Sequence, residues 1–279
     1  QLKVIASALE KKIKNELLKL QKEDREKYEK FWTAFGTQLK YGVVSDYGQH
    51  KEILQDLLLF WSSKEGANTT LAAYKDRMPE DQPFCYYACG ESVEKIARLP
   101  QVERILDRGY EILYCTEDVD DFVMKGLGEI DGKQFKSVTE EDALPQTEEE
   151  KKAAEEKAEA GKPVLEAVKE ALGDQVKEVR VSAILKSGAC CLSADGPISI
   201  EMEKYMSKVE GGQPMKADRV LELNPDSAPF AALKRAVDAG DKELVAKYAK
   251  LLYAQALLLA GLPLEDPAEY TGLVCSLMI

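Results

Sequence analysis

Two short runs, Phe84-Cys85-Tyr86-Tyr87-Ala88 and Glu111-Ile112-Leu113-Tyr114-Cys115, decide how the first half of this chain folds. The first is aromatic-rich and bounded by Pro83 and Gly90, the pattern of a buried strand, and the second has the same apolar character. Between them Ser92 to Leu99 and Gln101 to Asp107 carry helical spacing with a break at Pro100. Gly109 stands where a helix stops. Strand, helix and strand in this order predict a βαβ unit with a parallel pair. A helix over Val119 to Leu127 and a strand over Phe135 to Val138 extend it into a small α/β domain.

Upstream, Val4, Ile5, Ala8, Ile13, Leu17, Leu18 and Leu20 recur at three- and four-residue steps and predict one amphipathic helix. Tyr28, Phe31, Trp32 and Phe35 mark a second. A third is predicted to begin near Ser45 and to carry Ile53, Leu54, Leu57, Leu58 and Trp61, so the opening stretch reads as wholly helical. Downstream, Thr139 to Gly161 holds nine acidic residues against three lysines, half of the net charge of −12 carried by the 279 residues. Thr147 followed by Glu150 has the form of a capping box, opening a helix that runs through Val164, Leu165 and Val168 to Leu172. Beyond it, strands are expected over Val176 to Ser182, Ala189 to Ser193 and Val220 to Leu223. Helices are expected over Ile198 to Val209, Phe230 to Val237, Lys242 to Ala260 and Glu265 to Met278. The fold class is therefore α/β and α+β. A helical segment (1–80) leads into a small α/β subdomain with a partly parallel sheet (81–142). An acidic linker and helix start (143–161) precede an α+β domain ending in a helix pair (162–279).

The acidic balance argues against a nucleic-acid partner, which calls for a basic stripe. The longest apolar stretch, Leu251 to Leu264, is interrupted by Gln255, Gly261 and Pro263 and falls short of the roughly 20 residues a bilayer requires, so no membrane span is expected. Six cysteines without a Cys-x-x-Cys spacing, and the single His50, supply neither a disulfide scaffold nor a mixed zinc site, so the cysteines read as reduced, small apolar residues. Catalytic motifs are scarce. Gly126 to Gly132 reads as a turn rather than a dinucleotide loop, and no serine nucleophile has a base within reach of His50. Asp120 and Asp121 are adjacent on one helix and point apart.

Two apolar features point instead to contact with proteins. Ile198, Met202, Tyr205, Met206 and Val209 form a stripe at helical spacing, rich in flexible methionine and flanked by Gly196-Pro197 and Gly211-Gly212. In the last two helices, Leu251, Leu252, Leu258, Leu259, Leu273 and Leu277 spread apolar surface around more of the circumference than one small domain needs. A two-fold interface between copies would bury that surplus.

Several segments resemble one family. Phe84 to Ser92 resembles its "IYYITGES" strand and turn, and Gly109 to Glu117 its "GFEVLYMTE" strand. Phe122 onward through Glu129-Ile130-Asp131-Gly132-Lys133 and Phe135 to Val138 is similar to "L-x-E-F-D-G-K-x-F-x-S-V". Leu221 to Asp226 and Leu264 to Pro267 match "LEINPDH" and "LEDP". On these matches the chain is identified as a member of the heat-shock-protein-90 chaperone family, nearest its bacterial form.

The resemblance implies that the chain is the later middle domain followed by the carboxy-terminal dimerisation domain of an ATP-driven chaperone. The nucleotide-binding domain and the arginine loop that completes hydrolysis would lie outside it. ATP and magnesium then belong to the full-length parent, this segment is no enzyme and holds no cofactor, and its partners are a second copy and partly folded clients in the cytoplasm. Carried over residue by residue, the client contacts fall on Asp121, Phe122 and Lys125 in the middle domain. In the carboxy-terminal domain they fall on Ile198, Met202, Tyr205 and Met206. The residues by themselves also leave open an enzyme with a pocket at the strand ends near Tyr87 and Tyr114, and a dimerisation module that binds no client.

Overall fold

In the computed structural model, which describes residues 2–45, 48–209 and 215–278, the chain divides into two units. One is built from residues 1–96 and 109–137, the other from residues 97–108 and 138–279. Gly211-Gly212 and Ile279 lie outside the described residues.

The first unit opens with α1 (Leu2–Glu23) and α2 (Arg25–Val44). Asp24 separates them and caps α2 by accepting the Lys27 N–H. A short α3 (Lys51–Leu54) gives way to β1 (Leu59–Ser62), β2 (Asn68–Thr70) and α4 (Leu71–Asp76). Then come β3 (Cys85–Cys89) and α5 (Val93–Ile96). After α6 (Pro100–Asp107), which belongs to the other unit, the chain returns with β4 (Ile112–Cys115), α7 (Asp120–Leu127), β5 (Glu129–Ile130) and β6 (Lys133–Ser137).

The six strands form one sheet in the order β2-β1-β4-β3-β6-β5. Its centre is the expected parallel pair, with Tyr86 opposite Ile112 and Tyr87 opposite Leu113, and β6 joins β3 in parallel on the other side. Both margins are antiparallel. A two-residue turn at Asp131-Gly132, each with positive φ, closes the β5–β6 hairpin.

β1 corrects the sequence reading, which extended a helix through Trp61. The helix stops at Leu54, and Leu59 to Ser62 pairs antiparallel with both β2 and β4. Leu57 to Phe60 is a continuous apolar run buried on every side, and such a run has no periodicity to distinguish helix from strand. Pro100 is likewise the first residue of α6 rather than a break inside it, a position where its missing N–H costs nothing. Tyr28, Trp32, Phe60, Tyr74, Tyr87, Leu113, Val123 and Met124 fill the core beneath α2 and α7.

The second unit takes α6 and continues with α8 (Glu148–Leu172), β7 (Glu178–Val181), β8 (Cys190–Ala194), α9 (Ile200–Lys208) and β9 (Arg219–Leu223). It ends with α10 (Ala228–Asp238), α11 (Lys242–Leu259) and α12 (Pro267–Ser276). Its sheet has the order β7-β9-β8, with β9 parallel to β7 and antiparallel to β8. The capping box at Thr147 and Glu150 is formed in both directions, at 3.2 and 2.9 Å. Ahead of it Ala143 and Leu144 are buried. The first half of α8 is mostly exposed, and core contacts begin at Gly161 and continue with Val164, Val168 and Leu172. These meet Leu221, Leu223, Phe230, Leu233, Ala249, Leu252 and Ala256.

Glu222 of β9 is buried but satisfied by Arg180 at 2.9 Å, Ser182 at 2.7 Å and Ser193 at 2.7 Å. α6 is fastened to the β7–β8 connection: Arg104 donates to the Ala183 carbonyl, Lys186 pairs with Asp107, and Ser187 donates to Glu103 at 2.6 Å.

Candidate functional site

Three surfaces carry the residues singled out in the sequence, one in the first unit and two in the second.

In the first unit α7 is held at both ends. The Asp120 carboxylate accepts the Glu117 N–H at 3.0 Å, and the Gly128 N–H bonds the Met124 carbonyl. Asp120 is completely buried and pairs with the buried Lys40 ammonium of α2 at 2.7 Å, while Glu117 approaches the same ammonium at 3.0 Å. Burial alone would lower the Lys40 pKa, but the carboxylates of Asp120 and Glu117 overcome it and leave the ammonium above its ordinary value. The rings of Trp32 and Phe60, 5.5 and 5.0 Å from Nζ, add cation–π attraction.

Asp121 turns elsewhere. It is 3% exposed, accepts the Tyr87 hydroxyl at 2.9 Å and pairs with Lys125 one turn along at 2.9 Å. Its oxygens thus face the Tyr87 hydroxyl and the Lys125 ammonium. Phe122 is half-buried and Lys125 exposed. Of the three residues assigned to α7, those two reach solvent. Tyr87 and Tyr114 are both buried, the first with its hydroxyl spent on Asp121.

In the second unit the Ser199 hydroxyl accepts the Met202 N–H at 3.1 Å and caps α9. The helix therefore starts at Ile200, and Ile198 lies just before it, packed partly against the core. Ile200, which the spacing argument passed over, is the buried residue at 8% exposure. The next turn of that face is polar but equally tied down. Glu203 accepts the Ala217 N–H at 2.9 Å and pairs with Arg219, and Lys204 donates to the Ala260 carbonyl at 3.1 Å. With Ile200, Glu203 and Lys204 turned to the body of the unit, Met202, Tyr205 and Met206 fall on the opposite side of the helix and are half-buried. Val209, just past its end, is exposed. Spacing identified that stripe; the residues that anchor it carry no signal of their own.

The third surface is α11 with α12. Val245, Ala249, Leu252, Tyr253, Ala256 and Leu257 give α11 its core face, so Leu252, at 5% exposure, packs inside the unit and does not join the outer surface. Leu258 and Leu259 point outward at 49% and 42% exposure, and Leu251 is half-buried. α12 fully buries none of its residues; Leu273 and Val274 in it and Leu277 just past its end are half-buried, and Met278 is 78% exposed. Asp266 caps it through the Ala268 and Glu269 N–H groups, and Lys250 pairs with Glu269 at 2.7 Å.

Among the described residues, no three His, Cys, Asp or Glu side chains gather into a group that could hold a metal ion. No helix there is long and apolar enough to cross a membrane. His50 is exposed beside α3.

The comparisons with known proteins agree along the whole chain. The family model described as Hsp90 protein matches residues 1–279. The chain is 49% identical over 279 residues to Chaperone protein HtpG of Bacillus subtilis, covering 100% of this chain and 44% of that protein. It is 49% identical over 278 residues to Chaperone protein HtpG of Clostridium botulinum strain Langeland and 50% identical over 278 residues to that of a Clostridium perfringens strain, again covering 44% of each. The chain thus spans less than half the length of the curated relatives it matches.

Proposed function

Because this chain belongs to the Hsp90 family, we propose that it is a chaperone segment comprising the later middle domain (1–142) and the carboxy-terminal dimerisation domain (162–279), joined by the acidic stretch 143–161. It binds partly folded proteins through apolar side chains and self-associates through α11 and α12. The observation that carries this reading is the phase of α9. Its anchoring residues face the unit, leaving Met202, Tyr205 and Met206 half-buried on the opposite side of the helix.

The chemistry is that of reversible apolar burial. A client that has exposed core side chains gains about 25 cal/mol for each Å² it buries on such a stripe. Methionine suits varied partners because its unbranched chain repacks. One stripe binds weakly; two copies held together present two, and the second engagement is intramolecular. Phe122 and Lys125 add a smaller patch on α7. ATP and magnesium are assigned to the full-length parent. The setting is the bacterial cytoplasm.

The test is a titration of the protein with a dye-labelled, destabilised client beside the same client folded. Saturable binding of the destabilised form that disappears in a Met202→Ser, Tyr205→Ser, Met206→Ser triple variant of unchanged helical content supports the reading. Equal binding by the triple variant defeats it.

A further inference from the structure

Cys89 and Cys115 are the last residues of β3 and β4, and they stand opposite each other in the parallel ladder. Residues in register point to the same face of a sheet, and both belong to the face covered by the first unit's core. Cys115 is buried there, and Cys89 is half-buried beside it at the strand ends. Neighbouring strands lie about 4.8 Å apart, inside the range of roughly 4.4–6.8 Å that a disulfide spans between Cα atoms. The paired register ends here, and the Gly90 N–H bonds the Cys115 carbonyl at 3.1 Å.

We propose that Cys89 and Cys115 form an oxidation site at which hydrogen peroxide closes an intrachain disulfide. Cys89 is half-buried and Cys115 sealed, so the peroxide meets Cys89 first. The Cys89 sulfur attacks the O–O bond and becomes a sulfenic acid, releasing one water. The Cys115 sulfur then attacks the Cys89 sulfur; the S–O bond breaks, the S–S bond forms, and the departing hydroxyl leaves with the Cys115 proton as a second water. In sum two thiols give up two protons and two electrons, and the peroxide is reduced to two waters.

The other cysteines are placed differently. Burial pushes up the thiols of Cys85, Cys190 and Cys191 as it does that of Cys115, but those three stand in register with Phe135, Leu223 and Glu222 and not with a thiol. Cys190 and Cys191, though adjacent, point to opposite faces of β8, one against the Leu252 carbonyl and the other toward Glu222. Cys275 is exposed in the second unit. Cys89 alone combines access with a thiol partner in register.

The experiment uses the folded chain carrying Cys275→Ser. It is treated with hydrogen peroxide, alkylated, digested and mapped by mass spectrometry. The expected product is a linked peptide containing Cys89 and Cys115, lighter by two hydrogens than the sum of its parts, cleaved by a dithiol reductant and lost in both Cys89→Ser and Cys89→Ala. Because Cys115 is a core residue, the Cys89 variants carry the test. Cys89 recovered as sulfinic acid, or alkylated with no linked peptide at a peroxide dose that oxidises Cys275 in the parent, would overturn the proposal. So would a yield no higher in native buffer than in urea, where pairing is unguided.

Discussion

The Asp120 carboxylate of α7 lies 2.7 Å from the Lys40 ammonium of α2, with the two side chains 0% and 4% exposed. Neither charge has water to fall back on, so each depends on the other. Lys40→Met leaves a buried carboxylate unpaired and is expected to cost about 3–5 kcal/mol in urea unfolding of the first unit. Adding Asp120→Leu to that variant should restore much of the loss. Additive losses in the double variant would show that the two residues act separately.

On α9 the two sides of the helix should respond oppositely. Ile200→Ala removes a buried side chain and should lower the stability of the second unit by about 2–4 kcal/mol. Tyr205→Ser and Met206→Ser should change it by less than about 1 kcal/mol while weakening client binding. Calorimetry beside the client titration separates the two, and a large loss of stability in the Tyr205 and Met206 variants would place them in the core.

Sedimentation of the chain should give a dimer, with Leu258→Glu and Leu277→Glu shifting it to monomer at unchanged helical content. Leu252→Glu should instead unfold the second unit, since that side chain lies in its core. A monomer at all concentrations in the unaltered chain removes the role given to α12.

Alkaline pH should destabilise both units. Burial pushes the thiols of Cys85 and Cys190 and the phenol of Tyr28 up to about 12. The folded state therefore keeps protons that the unfolded chain releases above about pH 8.5 for thiols and about pH 10 for the phenol. Their contribution is complete below those values and disappears as pH rises towards 12, at about 1.4 kcal/mol per pH unit for each group. Melting temperatures recorded across this window should fall, and Cys190→Ala should flatten the slope for the second unit. A slope untouched by that substitution would assign the effect to other groups.

The parallel centre of the first sheet was legible because its strands are short aromatic runs fenced by Pro83, Gly90 and Gly109. The helix start at Thr147 was legible because a cap is a local pattern. β1 was not, since Leu57 to Trp61 has no period to read, and its partners β2 and β4 lie on either side of a long sequence interval. The same limit applies to the site. Spacing picked out Met202, Tyr205 and Met206, but the phase of α9 is set by Ser199 and by the grip of Glu203 on Arg219, a pair fixed only by the folded chain. Nor does local sequence show that Asp121 bonds the Tyr87 hydroxyl, 34 positions earlier.

The place of α6 has a consequence for dissecting this molecule. Residues 97–108 belong with residues 138–279, so the chain passes from one unit to the other three times: after Ile96, after Arg108 and after Ser137. A single protease nick after Ser137 therefore yields two fragments, and the earlier one still has a helix lodged in the later one through Arg104, Asp107 and Glu103. Nicked protein should elute as one particle in native buffer and separate only in denaturant. Halves expressed on either side of Ser137 should recombine as a split pair, whereas the later half made alone lacks a piece of its own surface.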